Sequence, residues 1–389
     1  MKINIGVFFG GRSVEHEVSI ISALQAIHAI DSNKYNVIPV YISKEGIFYT
    51  GEALLEIQNY EDMKTLLSRA KRISIVKDLK ETLIFEYPPG ILRNTALHRL
   101  DLAIPVVHGT NVEDGTLQGY LESIDIPYAG PDVLSSAIGM DKIIFKKVLK
   151  ESGLPVLDYV WFYTKDWLKD SEAIYKKVEA QLKYPLIVKP ANLGSSVGIT
   201  PANNRTELEE AIELAGNFSK KILIEEMIVN LREINCSVLG DYEKARASVC
   251  EEPVSSVDIL SYQDKYMGNS GKGMGGSLRR LPADIPAEMS NLIQDLAVKT
   301  FQTLGCDGVS RIDFLIETEK NEVYVNEINT IPGSLSFYLW EASGLSFSDL
   351  MEELIQLALK KQREREQLIF SYETNILSMH SKGSKGPKS

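Results

Sequence analysis

The chain has no apolar run of the length a bilayer span needs, about 18–20 residues, so nothing in it reads as a membrane helix. Cysteine is scarce: Cys236, Cys250 and Cys306 stand alone, without CxxC spacing. That excludes a disulfide framework and a thiolate zinc site, and predicts reduced core residues in a cytoplasmic protein. Positive charge is not in excess. A formal net charge of −11 excludes a broad nucleic-acid-binding face, which has to be basic. The order GxxxxGK[ST] is absent, so there is no Walker-type phosphate loop. No internal repeat occurs, and the apolar opening breaks at Gly10-Gly11, too soon for a signal peptide.

What remains is ordinary globular composition. With 389 residues, 44% of them hydrophobic and 24% charged, the chain suits two or three domains with sizeable cores. In residues 1–130, strands at 3–9, 35–43 and 102–107 and a helix over 17–30 predict an α/β domain with a mostly parallel sheet. Ligands then bind beyond the strand ends, at Gly10-Gly11 and His108-Gly109. Residues 44–100 are less regular. A second unit, 131–225, opens with one helix over 135–152 and continues with strand 186–189, helix 206–215 and strand 222–225. A third, 226–362, has strands at 232–239 and 245–250, a helix over 286–304, a hairpin and a last helix over 346–362. The tail, 363–389, turns charged and then Ser/Gly/Lys-rich, and partial disorder is expected there. The fold class is α/β, passing to α+β in the C-terminal part.

The hairpin carries the most chemistry. RIDF at 311–314 and VNEINTIPG at 325–333 both alternate as strands. Side chains two apart share a face, which puts Glu327 with Asn329, and Asp313 on the neighbouring strand. Two carboxylates and an amide oxygen suit Mg2+, which commonly completes its shell with substrate phosphates. Taken alone, the pattern fits a solvated acidic hairpin equally well.

Other segments bear on the same question. KPANLGSSVG at 189–198 sets Lys189 at a strand end before a small-residue loop whose N–H groups can cradle phosphate. Lys142 begins a helix, where a cation opposes the macrodipole unless it meets an anion. Glu225-Glu226-Met227-Ile228, between two units, suits a flat purine, with Glu233 beyond it for ribose hydroxyls. Glu15 and His108 follow N-terminal strands and can hold and move an ammonium proton.

Together these segments are similar to the D-alanine–D-alanine ligase family of the ATP-grasp superfamily. GGRSVEHEVS, HGTNVEDGTLQG, MDK, VKPANLGSSVG, RIDF and VNEINTIPG occur in family order over residues 1–360. The resemblance implies a three-domain ATP-grasp fold and an ATP-dependent ligation through an acyl phosphate, for peptidoglycan synthesis. It implies ATP and two Mg2+ ions, with Mn2+ able to substitute, and a homodimer. It implies Asp313, Glu327 and Asn329 as metal ligands. Lys142, Lys189, Ser196 and Lys265 then face the nucleotide's phosphates or cover them, Glu225 or Glu226 with Ile228 brackets adenine, and Glu233 holds ribose. Glu15, Ser195 and Tyr266 form a hydrogen-bonded set at the first substrate, with His108 near its carboxylate. Arg311 and the Gly333 N–H form the oxyanion hole, and Tyr338 and Leu339 meet the second substrate.

Four departures stand out. The spacing from Glu225 to Glu233 is one residue longer than usual, which leaves Glu225 and Glu226 both open for adenine. Val112 replaces a usual glycine. A glycine-rich insertion occupies 267–276, in the loop that closes over the site in the family. Tyr338 stands where a serine commonly holds the acceptor's carboxylate. That last change keeps D-Ala–D-Ser and D-Ala–D-lactate ligation as alternatives, although Tyr266 favours D-alanine. A silent ATP-binding regulator is a third reading, opposed by the intact Asp313, Glu327, Asn329 and Arg311.

Overall fold

The computed structural model describes residues 2–90, 95–194, 197–253 and 279–371. Ser195, Ser196, Lys265, Tyr266, the 267–276 stretch and the tail beyond 371 lie outside the described residues.

The first sheet holds β1 (Ile3–Gly10), β2 (Tyr35–Ile42), β3 (Phe48–Thr50), β4 (Lys71–Asp78), β5 (Glu81–Glu86), β6 (His98–Leu100) and β7 (Leu102–Pro105). Their spatial order is β6-β5-β4-β3-β2-β1-β7. Only β2, β1 and β7 run parallel. The expectation of a mostly parallel sheet is therefore corrected: residues 44–100 add four strands that pair antiparallel. The reason is connection length. A parallel neighbour needs a crossover of a dozen or so residues, which α1 (His16–Ala29) supplies between β1 and β2. Between β4 and β5 only Leu79 and Lys80 intervene, which permits nothing but a hairpin. Two further helices, α2 (Met63–Arg69) and α3 (Thr116–Ser123), complete this part.

The helix expected over 135–152 is two, α4 (Val133–Met140) and α5 (Lys142–Glu151). Asp141 breaks them. Its backbone is extended, and its carboxylate caps α5 by accepting from Ile143 N and Ile144 N at 3.1 and 3.2 Å. The cap also answers the dipole objection to Lys142, because an anion sits beside it. There follow β8 (Tyr159–Tyr163), α6 (Thr164–Lys169), α7 (Ser171–Glu179), β9 (Leu186–Pro190), β10 (Thr200–Ala202), α8 (Arg205–Gly216) and β11 (Lys221–Glu226). The strands form an antiparallel sheet, β10-β9-β11-β8. β8 and α7 were not legible in sequence: YVWFY does not alternate, and α7 is short.

The last part contains β12 (Leu231–Gly240), β13 (Ala245–Pro253), β14 (Arg279–Arg280), α9 (Ala287–Thr303), β15 (Gly308–Glu317), β16 (Glu322–Asn329), α10 (Phe337–Ala342) and α11 (Phe347–Arg365). The sheet order is β14-β13-β12-β15-β16. One face is apolar: Ile234, Cys236, Val238, Ile312, Phe314 and Ile328 pack with Ile293, Ala297 and Phe301 of α9. Burying each large side chain is worth about 1.5–3 kcal/mol, so alternation along β12 and β15 fixes which face turns outward. The three cysteines are buried free thiols, as expected. α11 returns to the N-terminal core through Leu350, Met351, Leu354 and Ile355. No described helix is long and apolar enough to cross a membrane.

Candidate active site

The outward face of the five-stranded sheet carries a row of polar residues. Register places Glu251 of β13 opposite Asn235 of β12, Asn235 opposite Asp313 of β15, and Asp313 opposite Glu327 of β16. Directly opposed residues have Cβ atoms about 4.5–5.5 Å apart. Arg311 lies opposite Asn329, one step along the same face. The predicted convergence of Asp313, Glu327 and Asn329 is thus present in the strand pairing.

Their partners define the charge pattern. Arg311 grips Asp313 with two bonds, Nε to Oδ1 at 2.6 Å and Nη2 to Oδ2 at 2.7 Å. Asn329 donates Nδ2 to Asp313 Oδ2 at 3.1 Å, so holding a cation requires this amide to turn its oxygen outward. Glu327 pairs with Lys142 at 3.2 Å. Among the described residues no three His, Cys, Asp or Glu gather as a metal cluster. This set has two carboxylates and an amide, a hard donor set that fits Mg2+ and leaves coordination to substrate oxygens.

Two lysines reach the row, Lys142 from the start of α5 and Lys189 from β9 of the central sheet. Lys142 Nζ also donates to Leu193 O at 2.9 Å, beside the small-residue loop. Lys189 Nζ donates to Asn326 Oδ1 at 3.2 Å. Asn326 is the extra residue of a bulge, since Asp313 pairs with Glu327 but Phe314 with Val325; bulges re-aim side chains in this way. Glu225 is fully buried, between Lys146 at 2.6 Å and Lys189 at 2.7 Å. Burial raises its pKa, but the two lysines outweigh burial and hold it down, at about 2. Glu226 is exposed instead and accepts from Lys183 N at 2.8 Å. Ile228 is half-buried after β11, and Glu233 lies on the outward face of β12 opposite Leu315. Lys146 escaped the sequence reading. The signal was its position four residues after Lys142, one turn along the same face of α5.

The N-terminal residues form the facing wall. Glu15 is buried at the start of α1, with its carboxylate against two backbones: a Cβ added at Gly109 or Gly194 would lie 2.7 or 2.9 Å from Glu15 Oε2. Three distant loops therefore meet at one carboxylate. Val112, in place of a glycine, packs over Gly11. His108 spends both ring nitrogens internally, Nδ1 on Ile331 O at 2.9 Å and Nε2 on Ser22 Oγ at 3.1 Å. A carbonyl only accepts, so Nδ1 carries the proton, and Ser22 donates to Nε2. Burial lowers the His108 pKa to about 4, keeping it neutral. Ser22 Oγ accepts from Ser334 N at 2.9 Å. Glu113, also missed although it lies in a quoted motif, accepts from Gly109 N and Ile331 N at 2.9 Å each and from Thr330 Oγ1 at 3.2 Å. These bonds fix the turn that starts at Gly333, where Ser334, Leu335 and Ser336 all have φ near 50°. Leu339 is fully buried in α10, while Tyr338 is half-buried and donates to Glu251 Oε1 at 2.8 Å.

Comparison with known proteins decides the family. The model of the D-ala D-ala ligase N-terminus matches residues 4–131, and that of the D-ala D-ala ligase C-terminus matches residues 148–356. The chain belongs to the D-alanine–D-alanine ligase family. A D-alanine–D-alanine ligase of Thermosipho melanesiensis is 42% identical over 97% of this chain and 99% of that protein. The solved D-alanine-D-alanine ligase from Coxiella burnetii is 30% identical, with a TM-score of 0.76 and 98% of each chain covered. The VanG D-Ala:D-Ser ligase from Enterococcus faecalis is 36% identical, with a TM-score of 0.77, covering 92% of this chain and 100% of that one. In this chain Lys142 links the polar row, at Glu327, to Leu193 O, beside the Gly194 backbone that lies against Glu15.

Proposed function

We propose that the chain joins two D-alanines into D-alanyl-D-alanine, with ATP driving the reaction through an acyl phosphate, as a cytoplasmic step toward peptidoglycan. The observation that carries this reading is the position of Lys142, whose Nζ meets Glu327 of the polar row at 3.2 Å and Leu193 O at 2.9 Å, one residue before Gly194, which lies against the Glu15 carboxylate. In it, Glu15 holds the first substrate's ammonium, and Lys142 and Lys189 hold nucleotide phosphates. The first carboxylate attacks the γ-phosphorus and ADP leaves. The amine of the second D-alanine then attacks the acyl carbon: the C–N bond forms, the C–O bond to phosphate breaks, and the amine proton is released. Arg311 and the Gly333 N–H stabilise the tetrahedral oxyanion between these events. Asp313, Glu327 and Asn329 would hold Mg2+, two ions in our reading with Mn2+ as substitute, which neutralises charge on the transferring phosphoryl group.

The family membership supports the activity, and the residue roles, the number of ions and a homodimeric state are our proposals. Phosphate release with ATP, Mg2+ and D-alanine alone tests the activity; no turnover would defeat it. A second reading, a D-serine or D-lactate acceptor, is favoured by Tyr338 and by the likeness to VanG. Adding D-serine or D-lactate to limiting D-alanine and identifying the product separates the two.

A further inference from the structure

Lys146 holds a charge deep inside the protein, with its side chain 1% exposed. It lies on α5 one turn after Lys142, and its Nζ is 2.6 Å from Glu225 Oε1. The other oxygen of that fully buried carboxylate, Oε2, is 2.7 Å from Lys189 Nζ. Glu225 is thus divided, one oxygen to each lysine. Lys189 continues to Asn326 Oδ1 at 3.2 Å, beside Glu327 of the polar row. Lys146, Glu225 and Lys189 form a buried chain of charges that begins inside α5 and ends at the row.

The charges in this chain do not cancel. Two ammonium groups and one carboxylate leave a net charge of +1. Burial raises the Glu225 pKa, and Lys146, ahead of Lys189, brings it down. Lys189 is raised, with burial opposed first by Glu225 and then by Glu327 and Glu233. Those last two are assigned to Mg2+ and to ribose in the ligase reading, so the surplus positive charge at Lys189 is left for phosphate. Without Lys146, both oxygens of Glu225 would fall to Lys189 and neutralise it. In a low-dielectric interior such a pair is tightly held.

We propose that Lys146 is a positioning residue for nucleotide binding: by holding one oxygen of Glu225, it keeps the charge of Lys189 available to the nucleotide's phosphates. This rests on the ATP-dependent reading above and extends its nucleotide subsite by one residue. Lys146 acts through Glu225 on Lys189. The charge count then predicts a rescue. Lys146→Met leaves a neutral Glu225–Lys189 pair, whereas adding Glu225→Gln removes the competing anion and returns the charge of Lys189 to the phosphates. A purely structural triad would show its losses in stability and not in the phosphates' share of binding.

Binding of ADP and of adenosine tests this. Each Kd is measured with Mg2+ by displacement of a fluorescent ADP analogue, well below the melting temperature. The two ligands share adenine and ribose, so the ratio of their Kd values isolates the phosphates and does not depend on how much protein is folded. Wild type should bind ADP the tighter. Lys146→Met should lower the ratio on the order of tenfold, the scale of one charge-assisted hydrogen bond, with adenosine binding little changed. Lys146→Met/Glu225→Gln should recover most of the loss. An unchanged ratio in Lys146→Met overturns the proposal, and so does a double variant no better than the single one. Should Lys146→Met fail to fold, Glu225→Gln alone decides: its ratio should equal or exceed that of wild type, and a fall overturns the proposal. Wild type that binds ADP yet releases no phosphate with ATP and D-alanine defeats the ligase reading instead, while the ratios still decide the role of Lys146.

Discussion

Glu113 accepts the backbone N–H of Ile331 at 2.9 Å, joining residues 218 positions apart in sequence. The bond ties the loop after β7 to the turn before Gly333. Burial, and then the nearby charge of Glu15, push Glu113 up to about 7.

That shift has a signed consequence. The folded state keeps the Glu113 proton up to about pH 7, whereas the unfolded chain loses it near 4.5. The group's contribution to stability is full below pH 4.5 and falls as pH rises toward 7, by on the order of 3 kcal/mol in total. Glu113→Gln cannot titrate. Denaturant unfolding at pH 5 and pH 7 should show wild type losing stability relative to the variant as pH rises. A difference that stays constant between the two pH values would refute the assignment.

Glu327→Gln should reduce kcat by orders of magnitude while D-alanine binding changes little. Its charge is assigned to the transferring phosphoryl group rather than to the amino acid. Steady-state kinetics at saturating Mg2+, with calorimetric D-alanine binding, measures both. Unchanged kcat would remove Glu327 from the metal site.

Lys146→Met should destabilise the fold by about 3 kcal/mol. Removing one partner of a buried ion pair leaves an undercompensated charge, and Glu225 would keep only Lys189. Urea unfolding reads this directly. A loss below about 0.5 kcal/mol, the scale of a surface substitution, would mean the pair contributes nothing.

Gly194→Ala brings a methyl within 2.9 Å of Glu15 Oε2, at a position with no left-handed backbone to strain. The variant should raise the KM for D-alanine several-fold with its melting temperature nearly unchanged. An unaltered KM would place Glu15 away from substrate.

Much of this site was legible before any tertiary structure. The period of two along 311–314 and 325–329 put Glu327 and Asn329 on one face beside Asp313, and the strand register agrees on that placement. What failed did so for local reasons. The helix over 135–152 looked continuous because its apolar pattern runs through Asp141, yet that residue prefers to cap, and it does. Residues 44–100 looked irregular because short antiparallel strands carry a weak periodic signal. Glu251 was invisible because nothing local marks it.

The sequence by itself determined the elements and the chemistry available: which residues alternate, which glycines open a loop, and which carboxylates and lysines recur in the family's order. Only the tertiary structure decided which of those charges meet. Glu225 turned inward to two lysines rather than outward to the cleft, and His108 spent both nitrogens on the Ile331 turn and Ser22. Tyr338 donated its hydrogen bond to a glutamate on another strand. Each outcome depends on long-range burial, where an unpaired charge or polar group costs several kcal/mol, and that cost is set by neighbours that sequence spacing does not reveal.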